Sequence, residues 1–159
     1  GQPDITRHAF VGETVILPCK TSPGELDVSN SMLYWQIESV LVHFLHNGQD
    51  ELLFQDEQYN GRTSLFLDQV KHGNFSLKLS NVQLQDAAVY TCIYKQTGAL
   101  PNTTQKSKIK LNVTAPSSTW KEHSPSGHSQ ISSRSPSDVP HPDILLSFHL
   151  LVTLGVWHL

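Results

Sequence analysis

The chain has 159 residues, with 11 lysines and arginines against 14 aspartates and glutamates, and two cysteines. That length holds one domain of about 100 to 150 residues and an appendage, not two independent cores. The net charge of -3 supplies no electrostatic reason to expect nucleic acid or an anionic membrane surface as partner.

The chain opens on Gly1 with no charged-then-apolar leader, the pattern of a mature chain whose secretory signal has been removed. Val15, Leu17 and Cys19 alternate with Thr14, Ile16 and Pro18, and "SPGE" from Ser22 marks a turn. Leu33, Trp35 and Ile37 alternate with Tyr34 and Gln36, and "HNGQ" from His46 marks another turn. Phe75, Leu77 and Leu79 alternate with Ser76 and Lys78, and Ile109, Leu111 and Val113 alternate with Lys108, Lys110 and Asn112. This period of two over short runs predicts antiparallel strands with one face buried. Three N-x-S/T sequons, at Asn74, Asn102 and Asn112, and two cysteines outside any CxxC pair favour an oxidising, extracellular setting.

Past Thr114 the pattern stops. Serine and proline make up half of residues 115–142. Such a stretch buries too little to offset its ordering entropy, which predicts an extended, disordered stalk over 115–143, open to O-glycosylation. The final run, 144–159, is "ILLSFHLLVTLGVWHL". As a helix it would measure roughly 24 Å against a hydrocarbon core of about 30 Å, and no lysine or arginine follows it. Small residues at Ser132 and Ser133, a polar spacer from Arg134 to Asp143 and the apolar run fit the order of a glycosylphosphatidylinositol signal. A short membrane helix and a secreted form are the alternatives.

Cys19 and Cys92 lie 73 positions apart, and a bridge between them would close a loop worth roughly 4 kcal/mol on the chain-entropy model. Trp35 follows Cys19, Tyr90 precedes Cys92 by two, and Asp86, Ala88, Tyr90 and Cys92 spell D-x-A-x-Y-x-C. This set resembles the variable-type immunoglobulin domains. The resemblance implies an all-β sandwich of two antiparallel sheets over residues 1–114, a Cys19–Cys92 disulfide packed on Trp35, a corner hydroxyl on Tyr90, and an Arg62–Asp86 ion pair. It also implies two extra strands, in "VLVHFLHNG" and in "ELLFQDE", Glu51 to Glu57.

The segments "VGETVILPCKTSPG", "LVHFLHNGQDE", "YNGRTSLFLD" and "HGNFSLKLSNVQLQDAAVYTC" are similar to the membrane-distal domains of butyrophilins, myelin oligodendrocyte glycoprotein and the T-cell costimulatory ligands. A second, constant-type domain and a cytoplasmic region are not part of the likeness. It implies a cell-surface ligand, C-terminally anchored on the extracellular face, that binds a protein receptor on an apposed lymphocyte and modulates T-cell activation. Homophilic adhesion through weak self-association is the alternative.

With Trp35 and Cys92 inward, alternation turns Tyr34, Gln36, Thr91, Ile93 and Lys95 outward on the front sheet, with Phe44 or His43 added from the next strand. Tyr34, Gln36, Phe44, Ile93 and Lys95 are therefore the candidate partner-binding residues. Leu100 joins them from the loop Lys95 to Thr104, where Asn102 offers a glycan site. His43 and His46, three apart on a strand, face opposite sides and form no metal site. His123, His128 and His141 lie in the stalk. No nucleophile elbow, zinc spacing or phosphate loop occurs, so neither catalysis nor a cofactor is expected.

Overall fold

The computed structural model describes residues 2–22, 24–98 and 104–118. Nine strands form two sheets: β1 (Ile5–Phe10), β2 (Val15–Leu17), β3 (Ser31–Ile37), β4 (Val40–His46), β5 (Gln49–Asp50), β6 (Thr63–Leu65), β7 (Leu77–Leu79), β8 (Ala88–Gln96) and β9 (Gln105–Thr114). The front sheet has the order β1-β9-β8-β3-β4-β5, and the back sheet is β2-β7-β6. The stalk from residue 119 onward, the tail 144–159, Ser132, Ser133, Leu100 and Asn102 lie outside the described residues.

The core sits between the sheets. Leu33 and Trp35 of β3, Tyr90 and Cys92 of β8, and Ile109 and Leu111 of β9 meet Leu17, Phe75, Leu77 and Leu79 from the other side, all buried. Alternation produces this packing because every second side chain of a strand faces the same way. Cys19 and Cys92 are bonded across the sandwich. Trp35 lies in register with Cys92, and its indole Nε1 donates to the Phe75 carbonyl at 2.9 Å, so the largest core side chain leaves no buried donor unpaired.

Two departures from the expected architecture follow from chain geometry. One pairing in the front sheet is parallel: β1 runs alongside β9, with Ile5 opposite Ile109 and Ala9 opposite Val113. These strands come from opposite ends of the domain, so no hairpin constrains their relative direction. The second departure concerns "ELLFQDE". Asn47 (φ 50°) and Gly48 (φ 78°) form a two-residue turn between His46 and Gln49, and the paired positive φ values are the turn geometry that matches strand twist. The strand therefore begins at once, as Gln49–Asp50, and ends before Glu51. Three consecutive apolar residues, Leu52 to Phe54, cannot alternate between faces. The segment instead arches beside β4, held by Asp56 N–H donating to Leu41 O at 2.9 Å and Gln55 Nε2 donating to Val42 O at 2.9 Å.

Candidate functional site

The outward face of the front sheet is assembled by register. Tyr34 of β3 lies between Phe44 of β4 and Ile93 of β8, Gln36 lies between Leu41 and Thr91, and Met32 lies between His46 and Lys95. A β-bulge falls in the β3–β4 pairing between Trp35 and Gln36. It admits Val42 as an extra residue, so that both Val42 and His43 are buried while Phe44 shares the outer face with Tyr34. The Tyr34 and Phe44 rings meet edge-on at 6.3 Å between centroids, Phe44 stacks on His46 at 5.7 Å, and Lys95 Nζ stands 5.9 Å from the Tyr34 ring centre. Tyr34, Phe44 and Lys95, together with Met32, Gln36, Leu41 and Phe54, line a shallow hollow of about 360 Å³. Its floor is aromatic and thioether surface, and its polar groups are one amide, one ammonium and one phenol. That composition suits a protein side-chain anchor better than a charged metabolite.

One sequence expectation fails at this face, and the choice between Phe44 and His43 falls to Phe44. Ile93 points away from the core, between Cys92 and Tyr94, yet it is only 3 % exposed. It occupies the middle of the sheet, flanked in register by Tyr34 on one strand and Lys106 on the other. Alternation fixes the direction of a side chain; the length of its neighbours decides whether water reaches it. His43 is inward and buried. Its Nδ1 lies 2.8 Å from Thr63 Oγ1 of the back sheet and its Nε2 lies 2.7 Å from Asp50 Oδ1 of β5. It is a polar tie between the sheets, since a buried imidazole needs partners at both nitrogens. Among the described residues no group of three histidine, cysteine or carboxylate side chains is placed to hold a metal.

Sequence reasoning missed Leu53 and Phe54, which are 82 % and 77 % exposed. Three successive apolar residues between acidic ones break the period of two, and that break was the available signal. Phe54 reaches the hollow from the arch after β5.

The scaffold residues stand behind this face. Tyr90 Oη donates to the Asp86 carbonyl at 2.7 Å and lies 3.2 Å from Tyr59 Oη. Burial pushes the Tyr90 phenol far above its usual range and raises those of Tyr59 and Tyr94 in the same direction. Arg62 enters just before β6 and grips Asp86 with Nη1 and Nη2, while its guanidinium carbon stands 5.6 Å from the Tyr59 ring centre. Of the sequons, Asn74 Nδ2 donates to Gln69 Oε1 at 2.6 Å and bridges to Lys20 beyond the end of the back sheet. Asn112 stands on β9 opposite His8.

The immunoglobulin V-set domain model matches residues 2–114. Human V-set domain-containing T-cell activation inhibitor 1 is 48 % identical over 84 residues, covering 52 % of this chain and 29 % of that protein. Mouse programmed cell death 1 ligand 1 is 36 % identical over 106 residues, covering 66 % of this chain and 35 % of that protein. The solved human B7-H4 IgV-like domain superposes with a TM-score of 0.62 at 35 % identity, covering 70 % of this chain and 94 % of that one. The chain thus spans about a third of the length of these curated relatives.

Proposed function

Because the chain belongs to the immunoglobulin V-set family, we propose that it is a cell-surface ligand whose front sheet docks on a lymphocyte receptor and restrains T-cell activation. The observation that carries this reading is the aromatic hollow between β3 and β4, an apolar patch rimmed by polar groups on the broad face of a rigid sandwich. The relatives support the direction, since one is named for inhibiting T-cell activation and another as a ligand. A V-set domain recognises rather than catalyses, and the expectation that the chain is not an enzyme agrees with its family.

In this reading Tyr34, Phe44 and Phe54 are the anchors, Gln36 and Lys95 supply polar contacts, and Leu100 contributes from the neighbouring loop. Ile93 flanks Tyr34 from the neighbouring strand. A patch of this size gives weak single-site binding, and many copies on a membrane raise it through avidity. N-glycans on Asn74, Asn102 and Asn112 and a lipid anchor near Ser132 or Ser133 complete the proposal. Phosphatidylinositol-specific phospholipase is expected to release the protein from cells.

The test places the full chain on beads beside a constant T-cell-receptor stimulus and follows proliferation. Beads with the native chain are expected to suppress it, and Tyr34→Ala or Phe54→Ala to remove both suppression and bead binding. Bead-to-bead clustering without T-cell binding would instead establish homophilic adhesion.

A further inference from the structure

Outward positions of β9 carry Lys106, Lys108 and Lys110 in succession, all exposed. In register beside them stand Ile93, Thr91 and Val89 of β8, and on the other side Thr6 of β1 adjoins Lys110. None of these neighbours bears a carboxylate. Asp4 stands beside Lys108, its N–H donating to the Lys108 carbonyl at 2.9 Å and its Oδ2 accepting the Lys108 backbone N–H at 3.2 Å, so its carboxylate is engaged by the backbone of the row. The ion pairs among the described residues are His43–Asp50 and Arg62–Asp86, so no ammonium of the row has an ionic partner there. Lys95, two residues beyond Ile93 on β8, adds a fourth cation to the same face.

A lysine row often protects a free sheet edge from pairing with another chain. That explanation covers Lys106 alone, because Lys110 is enclosed between β1 and β8 and Lys108 already exchanges backbone bonds with Asp4 on the β1 side. Lysines at alternate positions of a strand stand about 6.6 Å apart, close enough for mutual repulsion that the one carboxylate beside them, Asp4, offsets only in part. The chain's overall negative charge conceals this local excess.

We propose that the β9 row, with Lys95, binds a linear sulfated polysaccharide of the glycosaminoglycan class. Three cations in line extend over about 13 Å along the strand, a track for an extended chain carrying anions at intervals rather than for a single anion. Lysine presents a compact charge that pairs with a sulfate without the planar fork that phosphate and carboxylate readers use. A disulfide-bonded domain belongs in an oxidising compartment, and outside the cell sulfated polysaccharides are an abundant linear polyanion. The row occupies the β9 side of the face and the aromatic hollow the β3–β4 side, with Lys95 alone shared between them, so the three β9 lysines carry the inference without the receptor reading.

The test uses the full chain, expressed with its glycans and held in mild detergent, on immobilised heparin. By the counterion-release slope of linear polyanions, three lysine contacts should weaken binding about 20- to 40-fold between about 50 and 200 mM salt. Lys106→Gln/Lys108→Gln/Lys110→Gln is expected to lose at least about tenfold in affinity. Lys71→Gln/Lys78→Gln, at the back sheet and the turn after the short helix Leu67–Val70, is expected to lose less than about twofold, against a clear loss in Lys106→Gln/Lys108→Gln, which makes the same change in net charge. The triple Lys→Arg variant of the row should keep binding, and single Lys108→Gln provides the readout should the triple glutamine variant fold poorly. Equal losses in the two charge-matched glutamine doubles, or no retention of the native chain near physiological salt, would overturn the proposal. Tighter binding to poly-glutamate than to heparin would also overturn it, in favour of an acidic protein partner.

Discussion

Truncating Arg62 to alanine isolates the cost of stranding a carboxylate inside the sandwich. Asp86 is fully buried. Its Oδ1 accepts from Arg62 Nη1 at 3.2 Å, and its Oδ2 accepts from Arg62 Nη2 and from Gln83 N–H, the last at 2.7 Å. In Arg62→Ala only the Gln83 bond remains. Removing one partner of a buried ion pair costs about 3 to 5 kcal/mol. The Arg62 side chain is 17 % exposed, so water enters its vacated place and the expected loss lies at the lower end, about 3 kcal/mol. For a domain of this size each kcal/mol moves Tm by about 4 °C, giving a fall of about 12 °C. Asp86→Ala should cost less, about 2 kcal/mol, because the guanidinium keeps solvent access and its bonds to the Gln58 and Ser80 carbonyls. The double variant should then be less destabilised than the sum of the two by about 1.5 to 3 kcal/mol. Urea and thermal unfolding of the oxidised protein, followed by circular dichroism, measure all three. An Arg62→Ala loss below about 1 kcal/mol, the range of exposed pairs, or strict additivity in the double variant would refute the argument.

The two core tyrosines of β8 should respond oppositely to loss of their hydroxyls. Tyr90→Phe removes the bond to the Asp86 carbonyl and leaves that carbonyl without its donor, so unfolding should become easier by about 1 to 2 kcal/mol. The Tyr94 hydroxyl is buried with no hydrogen-bond partner among the described residues, and Tyr94→Phe should leave Tm unchanged or raise it. Alkaline stability has a determined sign. Tyr59, Tyr90 and Tyr94 all have phenols raised above the ordinary value of 10.0 by burial. Below that pH both states hold their protons and nothing changes. Above it the unfolded chain releases protons that the folded chain retains, and stability falls, by up to about 1.4 kcal/mol per pH unit for Tyr90. Denaturant midpoints between about pH 8 and 11 should be flat and then decline. Gly73 has φ +86°, and an added Cβ would stand 2.6 Å from Thr21 Cγ2. Gly73→Ala should therefore cost more than about 1 kcal/mol, and Thr21→Ser in the same chain should recover part of that loss.

Much of the scaffold was legible because it depends on relations along the chain. Period-two alternation around Leu33, Trp35, Tyr90 and Cys92 predicts an inward set, and these residues are buried. The Asn47–Gly48 pair predicts a turn because few other dipeptides accept two positive φ values. The spacing of Asp86, Tyr90 and Cys92 resembles a known corner, and the Tyr90 hydroxyl returns to the Asp86 carbonyl.

The outer face was less legible because it depends on relations across the sheet. Ile93 was read as accessible from its parity alone, whereas its cross-strand position between Tyr34 and Lys106 leaves it covered. His43 lies inward with Trp35 because a bulge places it there. Leu53 and Phe54 are exposed because the strand before them ends after two residues. The sequence by itself determined, through its resemblance, a disulfide-bonded sandwich and, through a backbone geometry that repeats every two residues, the inward residues of the regular strands. Only the tertiary structure decided which outward side chains meet solvent, that Phe54 joins the aromatic hollow, and that the β9 lysines stand together with no ion pair among the described residues. Those outcomes depend on register, bulges and neighbouring strands that lie far away along the chain.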